Sequence, residues 1–282
     1  MSEIEIGIGQ YRIKTTNSYG PRIVGTRREG SPEMLARLPD DVAIDLDEGG
    51  AYLFRGGHRL WAAPEVPAIT HAPDDHQCEV TESGEGLTIK APPDQAGLVK
   101  ELRVTADEDA LVIDHTITNA GSADITLAPW GITQFRLGGT ALLPLAAPGP
   151  STGLQADHNM VLWPYTDLSD DRLTWTETAV LIKASPGEKL KIGSGPNPGH
   201  LGYFYDRHLF TKMVSPAEED EYPDMGAVGQ VFVNEDFCEL ESVGPIDTLS
   251  PGSSTSLQET WMISECPNIE TAGRLVLNRR SS

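Results

Sequence analysis

The stretch Leu111-Val112-Ile113-Asp114-His115-Thr116-Ile117-Thr118 decides the fold class. Leu111, Ile113, His115 and Ile117 fall on one side of a period-two pattern; Val112, Asp114, Thr116 and Thr118 fall on the other. Such alternation, rich in β-branched residues, marks a strand with one buried and one wetter face. Asn119-Ala120-Gly121-Ser122 has the composition of a turn, and the sheet resumes at 125–128.

Similar runs extend in both directions. Before it lie 4–8, 11–15, 21–26, 42–46, 51–54, 78–81, 86–90 and 99–105; after it lie 180–183, 190–193, 201–205, 210–214, 228–233, 237–243 and 256–263. Glycine and proline, 28 and 21 of them, punctuate these runs and specify an all-β sandwich or barrel of mainly antiparallel strands. Only 32–37 and 157–159 have helical character, and the apolar, proline-bearing 141–151 reads as a long loop between sheets. No repeat or linker interrupts the 282 residues, so one domain spanning 1–282 is expected.

Composition narrows the function. Forty-two acidic against 21 basic residues give a formal charge of −21, which disfavours nucleic acid and anionic membrane as partners. No apolar run approaches the roughly 18 residues of a membrane span. The start, Met1-Ser2-Glu3-Ile4-Glu5, lacks an apolar signal core, so a cytoplasmic location is expected. Cys78, Cys238 and Cys266 are far apart and read as reduced thiols. His71 and His76, five apart, are a sparse ligand pattern, and no HExxH, GxGxxG, phosphate loop or GxSxG occurs. No metal and no cofactor are therefore expected.

Two stretches carry candidate chemistry. Arg55-Gly56-Gly57-His58-Arg59-Leu60-Trp61-Ala62-Ala63-Pro64-Glu65 sets an imidazole, a guanidinium, an indole and a carboxylate behind two glycines. Arg59 suits vicinal hydroxyls or a carboxylate, or else a surface ion pair. Trp61 suits a sugar-stacking platform or a core position. His58 alternates away from Arg59, and the two line one cleft only if the glycines bulge the strand. In Phe237–Pro245, Glu239 and Glu241 lie two apart and leave one face of a strand, where mutual repulsion raises the pKa of one of them. That suits a general base. Glu259 and His115 read as structural, His115 being on the apolar face.

Three passages together resemble aldose 1-epimerases, the galactose mutarotase-like proteins. They are Asn17-Ser18-Tyr19-Gly20-Pro21-Arg22-Ile23; Asp114–Asn119 followed by Pro129-Trp130-Gly131-Ile132-Thr133; and Phe237-Cys238-Glu239-Leu240-Glu241-Ser242 with Leu249-Ser250-Pro251-Gly252-Ser253. The resemblance implies a galactose mutarotase-like β-supersandwich with a sugar cleft, a mono- or oligosaccharide ligand and a monomer or homodimer. It also implies a Glu that takes the anomeric hydroxyl proton, matched by Glu241 with Glu239 as alternative, and a substrate-binding Arg, matched by Arg59. Pro129-Trp130 stands where the family carries an Asn-His pair, so the acid falls to His58, or to His115 if its face turns to the cleft. Trp130 becomes a stacking candidate, and Asp224 is the nearest match for the family's sugar-holding Asp. The function expected is aldose 1-epimerase-like, an isomerase; the alternative is a sugar-binding or sensing protein without turnover.

Overall fold

The computed structural model describes residues 3–46, 50–84, 86–145, 159–177, 179–195, 200–216 and 220–278. Within them the period-two pattern becomes burial: along Ala110–Asn119, Leu111, Ile113, His115 and Ile117 have no exposure, while Val112, Asp114, Thr116 and Thr118 on the other face are half-buried. This strand lies antiparallel between Leu98–Asp107 and Ser254–Glu265.

Among the described residues two ten-stranded antiparallel sheets form. The first runs Glu3–Ile8, Tyr11–Thr16, Arg22–Arg28, Gly57–Ala63, Ile125–Phe135, Cys238–Val243, Gly229–Val233, Leu190–Ser194 and Met160–Leu162, with Asp247–Leu249 also paired to Ile125–Phe135. The second has Ala110–Asn119 and Ser254–Glu265 near its centre. One apolar core fills the space between them, with Ile13, Ile23, Leu60 and Leu240 from the first sheet meeting Leu102, Val104, Ile113 and Ile263 from the second. The all-β sandwich expected from alternation is the fold observed.

Three segments differ from expectation. Residues 32–37 form no helix: Leu35 bridges Phe135 and Arg37 bridges Gly56 at the ends of two central strands, and Met34, Leu35 and Ala36 are all buried. In 141–151, Thr140–Pro144 is a strand whose Ala141, Leu142 and Leu143 are wholly buried, so both faces are apolar and alternation vanishes. Its remainder from 146, and 157–158, lie outside the described residues. A helix, Ile269–Asn278, closes the described chain. It is started by the Asn268 side chain, which accepts from the Thr271 backbone N–H at 2.9 Å, and packs Ala272 and Val276 on Leu142 and Leu209.

A polar layer is embedded between the sheets. His58 Nε2 meets His115 Nε2 at 2.7 Å, and His58 Nδ1 meets Thr133 Oγ1 at 2.9 Å. Lys212 donates to the carbonyls of Gly131 (2.7 Å) and Leu240 (3.0 Å) and pairs with Glu259 at 3.0 Å. Trp261 Nε1 donates to the other Glu259 oxygen at 2.7 Å. Burial holds both imidazoles below their ordinary pKa, His115 and Lys212 reinforcing the effect on His58. Space here is tight, since a Cβ at Gly131 would run into Glu259 Oε1.

Removing one member of a buried ion pair strands the other. Lys212→Met is therefore expected to lower stability by about 3–5 kcal/mol, and adding Glu259→Gln to recover part of the loss. Urea unfolding of the parent and these two variants checks this; a Lys212→Met variant as stable as the parent would refute it.

Candidate functional site

The pleat of Gly57–Ala63 organises the site. Gly56 and Gly57 have φ of 80° and 75°, and a Cβ on either would strike a backbone carbonyl, of Ala36 or of Ile23. Only glycine permits that entry into the strand. Beyond it the alternation is regular: Leu60 and Ala62 join the inter-sheet core, whereas Trp61 and Ala63 join Tyr52, Trp130, Ile132 and Val243 on the far side of the first sheet. In register, Ile132 stands between Arg59 and Glu241, and Gln134 stands opposite Glu239. Arg59 and Glu241 thus share the outer face, one strand apart.

Two buried ion pairs occupy this face. Arg59 Nη2 donates to Glu239 Oε1 at 2.9 Å, with its guanidinium 4.2 Å from the Trp61 ring centre and 5.2 Å from that of Phe54. Lys191 Nζ and Trp130 Nε1 both donate to Glu241 Oε2, at 2.8 and 3.0 Å. The Lys191 ammonium lies 4.8 Å from the Trp130 ring centre and 4.6 Å from that of Trp163. Burial pushes the Glu241 carboxyl up to about 7, with Lys191 opposing and Glu239 adding to the rise. Several buried polar atoms on the same face have no protein partner: Arg59 Nε and Nη1, Glu241 Oε1, both side-chain polar atoms of Gln134, and Gln230 Oε1. Buried polar groups are ordinarily satisfied, so this cluster marks where a hydroxyl-bearing molecule or ordered water belongs.

Loops rim the face. Glu65 follows the strand and meets His71 Nε2 at 2.9 Å, while His71 packs 5.2 Å from the Trp61 ring. That hydrogen bond, with Lys191 and Arg59 nearby, holds the Glu65 carboxyl below its ordinary value. The Trp163–Thr166 turn hangs on the first sheet through the Thr166 hydroxyl, which donates to the Lys191 carbonyl. Burial pushes the Tyr165 phenol up, followed by the charges of Glu241, Glu65, Glu239 and Asp224. Gln230, opposite Glu241, donates to Asp224 Oδ2 at 2.9 Å.

Of the residues singled out in the sequence, Arg59, Trp61, Trp130, Glu239 and Glu241 come together, and Asp224 reaches the margin through Gln230. His58 and His115 do not join them. The glycines turn the chain without bulging the strand after them, so His58 points between the sheets and is fully buried there with His115. The ligand atoms of His58, His115 and Glu259 lie within 4.8 Å of one another, but the Lys212 ammonium already balances the Glu259 charge at 3.0 Å. Lys191, Gln134, Gln230 and Tyr165 escaped the sequence reading, which named Glu65 and His71 but not their hydrogen bond. Lys191 was legible in part, as a lone cation between the apolar residues Leu190 and Ile192. Tyr165 had no signal, because its place depends on a turn fastened to a distant strand.

The sequence matches no protein-family model and no curated protein. Solved structures share the fold. A galactose mutarotase-like protein from Lactobacillus casei is 12% identical, covering 93% of this chain and 100% of its own, with a TM-score of 0.59. A putative aldose 1-epimerase from Escherichia coli is 13% identical, covering 94% and 99%, with a TM-score of 0.56. A putative mutarotase from Salmonella typhimurium is 11% identical, covering 93% and 90%, with a TM-score of 0.55. This likeness establishes the galactose mutarotase-like β-sandwich; the chemistry rests on the residues of this chain.

The raised Glu241 pKa has a consequence for stability. A carboxyl that binds its proton more tightly when folded favours the fold fully below its unfolded pKa, near the ordinary glutamate value of 4.5, and loses that advantage as pH rises to about 7. Glu241→Gln is expected to flatten this part of the pH–stability curve. Urea midpoints at about pH 5 and about pH 8 test it, and parallel curves for parent and variant would refute it.

Proposed function

We propose that the outer face of the first sheet binds a free sugar and interconverts its anomers, with Glu241 as base. The observation that carries this is a buried carboxylate held near neutrality with one oxygen, Oε1, free of partners beside the unpartnered N–H groups of Arg59. A general base works best with a pKa near the working pH. Trp61 and Trp130 wall the face and carry the Arg59 and Lys191 cations against their rings. The proteins described as aldose 1-epimerases and mutarotases that share this fold lend support.

The chemistry balances within the site. Glu241 Oε1 takes the proton of the anomeric hydroxyl, the carbonyl forms as the bond from anomeric carbon to ring oxygen breaks, and the ring oxygen takes a proton. Rotation of the aldehyde and the reverse steps give the other anomer. Lys191, whose ammonium lies 2.8 Å from Oε2, is the donor that this reading assigns to the ring oxygen, in place of His58. Arg59, Gln134 and Gln230 orient hydroxyls. A second reading, sugar binding without turnover, draws on the burial of His58 behind the sheet, which leaves the face without that imidazole.

Anomer equilibration of hexoses and uronic acids, followed by NMR, tests the proposal. Acceleration over buffer is expected, rising with pH through about 7 as Glu241 ionises, and falling roughly 10²–10⁴-fold in Glu241→Gln. Arg59→Ala should weaken sugar binding by about 1.5–3 kcal/mol in calorimetry. Binding without acceleration selects the second reading, and neither binding nor acceleration removes both.

A further inference from the structure

The outer face of the second sheet carries a groove of about 970 Å³, and neither Arg59, Glu241 nor their hydrogen-bond partners line it. Strand register builds its floor. Met213 stands beside Thr260, and Thr260 beside Val112, on three neighbouring strands. Lys212, Trp261 and Leu111, one residue away on the same strands, are buried between the sheets. Alternation therefore turns Met213, Thr260 and Val112 outward in one row. Ser256, Gln258, Thr260 and Met262 of a single strand all line the groove, which runs about 20 Å along that strand at the usual rise per residue.

The rim is acidic on both sides of this floor. Asp107, Glu108 and Asp109 form the hairpin tip that leads into Ala110–Asn119, the strand on one side of Ser254–Glu265. Asp220 lies on the segment that follows His208–Met213, the strand on the other side. All four are exposed, and no lysine, arginine or histidine lines the groove with them. The hairpin tip is fastened to the first sheet: Gln10 donates to the Asp109 carboxylate, and the Tyr11 hydroxyl donates to the Asp109 carbonyl at 2.8 Å. Val214 and Tyr222 extend the apolar wall below Asp220. Scattered surface carboxylates are ordinary, but these bracket an apolar floor with two methionines, a side chain that adapts to varied partners.

We propose that this groove binds an extended peptide segment of a partner protein, with lysine or arginine flanking an apolar centre. Its length matches about six extended residues. Apolar side chains of the segment pack between Met213, Val112 and Met262, and the side chains of Ser256, Gln258 and Thr260 offer hydrogen bonds to its backbone. The flanking cations meet Asp107–Asp109 on one side and Asp220 on the other, which fixes partner choice and orientation. A second copy of this chain, at −21, brings like charge to the same rim. The proposal is independent of the carbohydrate reading of the first sheet.

A positional-scanning library of fluorescent heptapeptides, read by polarisation, tests the proposal. Selection of lysine or arginine at the outer positions and of leucine, methionine, valine or phenylalanine at the centre is expected. The selected peptide should bind about tenfold or more weakly to the double variant Asp107→Lys, Asp220→Lys. It should lose as much with Thr260→Tyr, which fills the floor and leaves the charge unchanged. Urea midpoints confirm folding, and Val112→Tyr replaces Thr260→Tyr if that midpoint falls. Sugar binding should be the same in every variant. A library without the cationic and apolar preference overturns the proposal. So does binding that weakens with salt and charge reversal yet survives the floor variants, which is unspecific attraction to an acidic protein. Self-association by sedimentation, lost in the floor variants and without peptide binding, makes a second copy the occupant and overturns it too.

Discussion

The pleat of one central strand sorts charge to opposite sides of a sheet, and the rest of the molecule follows from that sorting. His58 and Arg59 are neighbours in sequence, yet one hydrogen-bonds His115 between the sheets and the other pairs with Glu239 outside. The same division recurs across strands. Lys212 and Glu259 balance each other inside; Lys191 and Glu241 do so outside. Charges of this kind are tolerable in a desolvated setting only when paired and further hydrogen-bonded. Lys212 meets that demand by gripping the carbonyls of Gly131 and Leu240, which adjoin Ile132 and Glu241. The inner layer therefore holds in register the two strands on which the outer site is assembled.

Burial also gives Glu241 its character. In water a carboxyl is ionised well below neutrality. Desolvation raises this one to about 7 although an ammonium lies 2.8 Å away, so loss of solvent outweighs attraction. Two donors on Oε2 fix the group's orientation and leave Oε1 open. A carboxylate fixed in this way accepts a proton from one direction, which a mobile surface glutamate does not.

The fold was legible because its signal is local. Leu111 to Thr118 alternate, and alternation needs no knowledge of distant partners. The same rule placed Glu239 and Glu241 on one face and separated His58 from Arg59; the glycine bulge that would have rejoined them does not form beyond Gly57. What failed was of two kinds. Ala141–Leu143 is buried on both sides, so a strand resembled an apolar loop. Lys191, Gln134 and Gln230 reach the site through pairings between strands remote in sequence, and a single chain read in order does not display register.

The first sheet is one backbone thick between its two ionic layers, and that partition is electrically thin. Burial pulls the Lys212 ammonium below its ordinary pKa; Glu259 pushes back first, and Glu241 and Glu239 act on it from the opposite side. A proton arriving on Glu241 therefore changes the potential felt at the seam of the sandwich, with no atom passing through. The inner ionic layer registers the charge state of the outer one, so chemistry there and cohesion of the two sheets are terms in one electrostatic balance.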